Sequence, residues 1–379
     1  MVPHPSRPTL DDPRLYWIAF NFVKGIGAVR FKALLDFFGD PALAWNAPGE
    51  ALAAAGLSPK IIENLQLVRS QVDLKRVWEH MQALGITCLT WEDEAYPRHL
   101  RNIDQPPPVL YVRGELLPED DWAVAIVGTR KVTSYGRQVT EEVAAFLAQN
   151  GVTVVSGLAR GVDGIAHQAA LKAGGRTIAV LGSGVDRIYP PENRRLAEEI
   201  ILRGALVSDY PPGTAPDGMN FPPRNRIISG LSLAVVIVEA GETSGALITA
   251  TFAAEQGREV FAVPGSILAP QSKGTNRLIQ DGAQPLLNPQ EIFQVLNLTR
   301  VTEQRAARQV LPSDPIENKI FCALSMEPLH VDEISAQTDL PIEQVSAALV
   351  MMELKGLVRQ VGGMNYVALR ERREDYDME

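Results

Sequence analysis

Thr153-Val154-Val155-Ser156-Gly157-Leu158-Ala159-Arg160-Gly161-Val162-Asp163-Gly164 joins a short β-branched run to a turn punctuated by glycine, and a segment of helical length comes next. The same succession recurs on both sides. Apolar runs at 123–127, 153–155, 177–181, 205–207, 233–238 and 259–263 are rich in Val and Ile and predict strands, with helical periodicity between them. Continuous apolar strands alternating with helices predict an α/β fold whose parallel sheet is covered on both faces. Ligands of such sheets sit beyond the carboxyl ends of the strands.

The residues just after each strand are therefore informative. The turns are Gly128-Thr129-Arg130, Ser156–Gly164, Gly182-Ser183-Gly184, Ser208-Asp209-Tyr210 with a long loop to Phe221-Pro222-Pro223-Arg224-Asn225-Arg226, Glu239–Gly245, and Pro264-Gly265-Ser266. Glycine admits a ligand close to the backbone, and helix N-termini attract anions. With Arg130, Arg160, Arg224 and Arg226 on the same edge, these turns predict a phosphate-binding crest. Several guanidinium groups on separate loops suit a phosphate polymer, and Phe221 and Tyr210 offer faces for the bases of a single strand.

The motifs of other phosphate chemistries are missing. Gly182-Ser183-Gly184 begins a dinucleotide fingerprint, but Arg187 takes its third glycine position, and no Walker phosphate loop or G-x-S-x-G elbow occurs. No cofactor is therefore expected. His4, His80, His99, His167 and His330 show no metal-ligand spacing, and Cys88 and Cys322 make neither a disulfide framework nor a zinc site. The 379 residues carry a net charge of −9, unlike a wholly basic nucleic-acid binder. The charge is uneven: residues 1–121 carry a net −4, residues 122–290 a net +1 and residues 301–379 a net −6. No apolar run approaches the length of a membrane span and the N-terminus is polar, so a cytoplasmic protein with no membrane partner is expected.

Residues 1–84 read as a helical N-terminal domain in which Lys24-Gly25-Ile26-Gly27-Ala28 resembles a helix-hairpin-helix (or SAM-like) turn. Its acidity and the shortness of the turn favour a plain packing domain over that reading. Residues 85–297 hold the sheet, with a transitional start and a possible strand at 109–112. Residues 298–312 read as a linker. Residues 313–370 suggest a winged helix, with helices at 316–324, 331–337 and 342–354 and strands at 357–360 and 366–369 closed by Gly362-Gly363. Residues 371–379 form a charged tail. The recognition-helix candidate 342–354 carries Glu343 and Glu353, no Lys or Arg, and apolar Ala347, Ala348, Val350, Met351 and Met352, which points to protein contact or regulation over duplex reading.

Gly128-Thr129-Arg130, the Ser156–Asp163 turn, residues 221–231, Ser244-Gly245-Ala246-Leu247-Ile248-Thr249-Ala250 and Val263-Pro264-Gly265 together resemble the DprA/Smf (DNA-processing protein A) family across residues 85–290. The resemblance implies an extended Rossmann fold, a homodimer, binding and protection of single-stranded DNA, and loading of the RecA recombinase during DNA uptake in natural transformation, without enzymatic activity. Asp209 stands where many members have Glu, and Pro191 where many have Lys, which removes one cation.

The DNA-binding set expected on these grounds is Gly128, Thr129, Arg130, Ser156, Gly157, Arg160, Gly161, Phe221, Arg224, Asn225, Arg226 and Lys273, with no catalytic or metal-binding residue. Each has a structural alternative. Arg130 contacts phosphate or fixes its loop by an ion pair. Arg224 and Arg226 point together if extended and diverge in a helix, where one pairs with Glu239 or Asp163. Asn225 binds DNA or caps a helix, and Phe221 stacks on a base or acts as an apolar lid. Arg160 and Asp163 brace each other, Gly157 and Gly161 shape their turn, Lys273 and Arg277 are solvated, and His167 is a buried structural residue. The competing function is a nucleotide-processing enzyme resembling the phosphoribohydrolases. Those enzymes use a Pro-Gly-Gly-x-Gly-Thr stretch that the comparable turn Gly241–Ala250 lacks, and no acidic residue lies between Glu242 and Glu255.

Overall fold

The computed structural model describes residues 12–298, 314–324, 328–354 and 357–368. The chain divides into two compact units, Met1–Leu296 and Asn297–Glu379. The first contains a nine-stranded sheet: β1 (Ile86–Thr90), β2 (Val109–Gly114), β3 (Ala123–Val127), β4 (Thr153–Ser156), β5 (Thr177–Val180), β6 (Gly204–Ser208), β7 (Ala234–Ile237), β8 (Glu259–Ala262) and β9 (Gln284–Pro285). Their order is β1-β2-β6-β5-β4-β3-β7-β8-β9. All six expected strands form, and β3 to β9 pair in parallel. From β3 the chain winds out to β6, then returns to the other side of β3 at β7, so the switch point lies between β3 and β7.

The transitional segment turns out to be sheet. β1 and β2 pair antiparallel, and β2 joins β6 antiparallel, extending the sheet beyond its Rossmann part. Strands β3 to β7 are buried along almost their whole length because helices cover both faces. On one face Ala125, Val155, Ile178 and Val235 meet Ile227 and Ile228 of the helix Phe221–Gly230 and Ala246 and Ala250 of the helix Gly245–Glu255. On the other, Tyr111, Ala179 and Leu206 meet Leu196 and Ile200.

The helices between Arg14 and Ala83 share this second core, through Trp17, Phe20, Phe31 and Trp45. Trp17 packs on Phe31 at 4.7 Å between ring centres and on Trp91 at 5.7 Å. Tyr111 on β2 donates to Asn21 Oδ1 at 3.0 Å.

In the second unit the helices Pro315–Ala323, Val331–Thr338 and Ile342–Leu354 pack on a sheet ordered β10-β12-β11, where β10 is Leu329–His330, β11 Val358–Gly362 and β12 Asn365–Ala368. Ile320, Ile334, Val345, Leu349, Met352 and Tyr366 form its core. This is the expected winged-helix arrangement. Residues 299–312 of the expected linker at 298–312, together with residues 313, 369 and 370 and the expected tail, lie outside the described residues. Among the described residues, no helix is long and apolar enough to cross a membrane.

Candidate nucleic-acid interface

The turn after β4 is built around glycine. A side chain at Gly161, where φ is +78°, would meet Arg130 Cα at 2.8 Å, so glycine lets this turn pack against Thr129 and Arg130. A Cβ at Gly157 would fall inside the Arg224 guanidinium, 2.7 Å from its Cζ, and also 2.7 Å from Asp163 Oδ2. One at Gly182, after β5, would strike Phe221 Cδ1 at 2.8 Å. Three loops and one helix thus converge because glycine leaves room for an arginine, a phenyl ring and a neighbouring backbone. Between the first two glycines, Leu158 holds a left-handed φ of +59° while wholly buried. Such a conformation is costly for a branched side chain and persists where its surroundings fix it. Here Asn193 Nδ2 donates to the Leu158 carbonyl at 2.8 Å.

The centre of the convergence is Phe221. Arg130 Cζ lies 5.7 Å from its ring centre and Arg224 Cζ 5.9 Å. Arg130 is exposed and makes no hydrogen bond or ion pair among the described residues. Arg224 is only 4% exposed, and its Nε has no partner there. Burial pushes the Arg224 pKa down to about 10, against the pull of Asp163, and the nearby Arg130 charge lowers it further. Burial raises the Asp163 pKa, while Arg224 and the amides of Ala159 and Gly157 oppose the rise. Two guanidinium groups on one ring repel each other, and an anion between them relieves that repulsion with charge-assisted bonds.

The other expected residues are placed differently. The prolines after Phe221 open the helix, so Arg224 and Arg226 diverge by roughly 200°. Arg226 pairs with Asp209 at 2.8 Å and donates to the Gln105 carbonyl, which makes it a brace for the helix. Arg160 pairs with Glu192 and not with Asp163, whose carboxylate turns inward to accept from Ala159 N at 3.3 Å and to face Arg224. Ser156 is wholly buried and donates to the Ile126 carbonyl at 2.6 Å, so its hydroxyl ties β4 to β3 and is not offered at the surface. Thr129 N donates to the Glu239 carbonyl at 2.7 Å and Gly128 packs on Val162, both shaping the Arg130 loop.

Asn225 sits inside the helix, not at its cap, and donates to the Gly245 carbonyl at 3.3 Å. Lys273 lies on the β7–β8 side, 3.7 Å from Glu242, and Arg277 pairs with Asp281. Tyr210 is half-buried; its hydroxyl donates to the Asn220 carbonyl at 3.3 Å, and burial pushes its pKa up to about 12. His167 is wholly buried against the Thr177 hydroxyl at 2.6 Å, and burial drives its pKa down to about 3.

Two features went unread in the sequence. At the switch point, the buried Glu239 carboxylate accepts from Thr133 N at 2.9 Å and from Thr133 Oγ1 at 2.5 Å, at the start of the helix Ser134–Gln149. The protein's own anion therefore fills the place where a dinucleotide fold receives its pyrophosphate. The second is the role of Tyr189 and Asn193 in the segment Tyr189–Asn193, which was read for Pro191 alone and touches Phe221, Arg160 and Leu158 at once.

A mostly parallel sheet with a filled switch point, together with a winged helix in the second unit, defines a Rossmann-like core joined in sequence to a winged-helix domain. Residues 87–297 match the family described as DNA recombination-mediator protein A, and residues 304–364 match the DprA winged helix domain. The chain belongs to the DNA recombination-mediator protein A family. Protein Smf of Synechocystis is 39% identical over 393 residues, covering 94% of this chain and 99% of that protein. DNA processing protein DprA of Bacillus subtilis is 45% identical over 224 residues, 59% of this chain and 75% of that protein.

Among solved structures, DprA from Streptococcus pneumoniae aligns with a TM-score of 0.65 at 33% identity, covering 74% of this chain and 96% of that one. DNA processing protein A from Helicobacter pylori, described for its single-stranded DNA binding mode, aligns at 0.51 and 34% identity, covering 56% and 96%.

Proposed function

We propose that this protein is a non-enzymatic recombination mediator of the cytoplasm that grips single-stranded DNA on the crest formed by Arg130, Phe221 and Arg224. The observation that carries the reading is the pair of arginines on one aromatic ring, of which Arg130 is unpaired and Arg224 keeps an unsatisfied Nε among the described residues. Phosphates satisfy the guanidinium groups, and the phenyl face takes a base that is free only in a single strand. The single-stranded DNA binding described for the Helicobacter pylori relative supports the assignment. The seat of Glu239 weighs against a nucleotide-hydrolysing enzyme, because the switch point is filled and its carboxylate is committed to Thr133. Homodimerisation, delivery of the strand to a RecA-type recombinase and service in natural transformation belong to the same reading and rest on family membership.

Titration of a labelled oligodeoxythymidine and of a duplex of equal length tests this reading. Single-stranded DNA binds tighter, and log K falls with log salt at a slope of about −3 for roughly four phosphate contacts. A flat salt response, or preference for duplex, rejects it.

A further inference from the structure

We propose that Tyr189 is a second base-stacking face of the crest, so that the protein holds two neighbouring bases of the strand, one on Phe221 and one on Tyr189. This rests on the single-stranded DNA reading above. The sequence offered Tyr210 as the second ring, but Tyr210 is half-buried and its hydroxyl is committed to Asn220. Tyr189 is 39% exposed, and its ring centre lies 5.8 Å from that of Phe221 with 41° between the planes. Spacing and tilt are too close for a base to enter between the rings, so each presents an outer face.

The ring is held in place without DNA. Pro190 beside it is buried, and Asn193 N donates to the Pro190 carbonyl at 3.1 Å. Asn193 also clamps the Leu158 carbonyl, and Glu192 pairs with Arg160. An exposed aromatic on a segment fastened this firmly has lost its conformational freedom before binding, so stacking costs little ordering entropy. Two cations lie beside the ring it packs on: Arg130 and Arg224 both sit on Phe221, while Arg160 is paired with Glu192 of the same segment. The surround therefore suits the phosphates that flank a stacked base.

The test compares Tyr189→Ala, Tyr189→Phe and the wild-type full-length chain on two labelled strands of equal length, oligodeoxythymidine and an abasic strand with the same phosphates. Stacking contributes about 1–3 kcal/mol per base, so Tyr189→Ala should weaken thymidine binding by about fivefold or more, with Tyr189→Phe close to wild type and abasic binding unchanged. Tyr189→Trp adds an optical reading, because Trp17, Trp45, Trp78, Trp91 and Trp122 all precede the crest in the chain. The emission it adds should fall when the thymidine strand saturates the protein, and emission left unchanged at saturation overturns the proposal. Unchanged thymidine affinity in Tyr189→Ala overturns the proposal. Equal losses on both strands overturn it too, because they mark a structural role. Wild-type protein that binds neither strand removes the DNA reading itself, whereas wild-type binding with no effect at Tyr189 removes only this inference.

Discussion

Gly157→Ala tests the crest through a residue that carries no functional group. The added methyl would lie 2.7 Å from Arg224 Cζ and 2.7 Å from Asp163 Oδ2, well inside contact distance. Gly157 shows no positive φ, so the backbone itself accepts alanine. The guanidinium has nowhere to retreat, being 4% exposed and packed on Phe221. It must leave the ring or push the turn outward. Overpacking of this kind costs about 1–3 kcal/mol of stability. Loss of one charge-assisted phosphate contact costs about 1.5–3 kcal/mol, roughly a 10- to 150-fold weaker complex. The salt slope should become shallower by about 0.7.

The assay is fluorescence anisotropy with a labelled oligodeoxythymidine at several salt concentrations, beside thermal melting of the same samples. Gly218→Ala is the control, since its Cβ would meet nothing within 4 Å. A folded Gly157→Ala protein with wild-type affinity and wild-type slope would refute the placement of Arg224 in the binding surface.

Three other features give expected outcomes of their own. Glu192→Gln removes the carboxylate that holds Arg160 at the rim; titration of the oligonucleotide should show affinity raised about two- to fivefold and a slope steeper by about 0.7, and an unchanged slope would mean that Arg160 does not reach DNA. His167 folds neutral with a pKa near 3, so the unfolded chain takes up a proton first as pH falls below about 6.5. Its contribution to stability is complete above that pH and is lost from there down towards pH 3, by about 2 kcal/mol between pH 7 and pH 5, a difference that denaturant melts of wild type and His167→Gln should show. Deleting residues 313–379 should leave single-stranded DNA affinity within about twofold, because the recognition helix Ile342–Leu354 offers no cation to phosphate; loss of most of the affinity would overturn that assignment.

The Rossmann core was legible because its strands are buried on both faces and read as unbroken apolar runs. Ile86–Thr90 gave no such signal: it is a short edge strand, interrupted by threonine, that gains its place by pairing with β2. At the site, the turns after the strands were legible, and Arg130, Phe221 and Arg224 lie together in the structure, whereas Arg160 and Arg226 are taken up by carboxylates. Whether an arginine is spent or free was not legible. Asp209 and Glu192 lie 17 and 32 residues from the arginines they neutralise, and no local pattern records such a partner. Helix geometry separated Arg224 from Arg226 once the prolines were seen to open the helix. Tyr189 was hidden for the opposite reason, since a lone aromatic in a proline-rich loop reads as filler until its neighbours are known.

The most direct test of the central claim removes Arg130 and Phe221 together by alanine substitution and leaves the buried Arg224 and Asp163 untouched. Arg130 is exposed and Phe221 half-buried, so the fold should survive, as a melting curve will show. Single-stranded DNA binding should weaken by about 100-fold or more, from the loss of one charge-assisted contact and one stacked base. A folded double variant that binds the oligonucleotide within about threefold of wild type would contradict it.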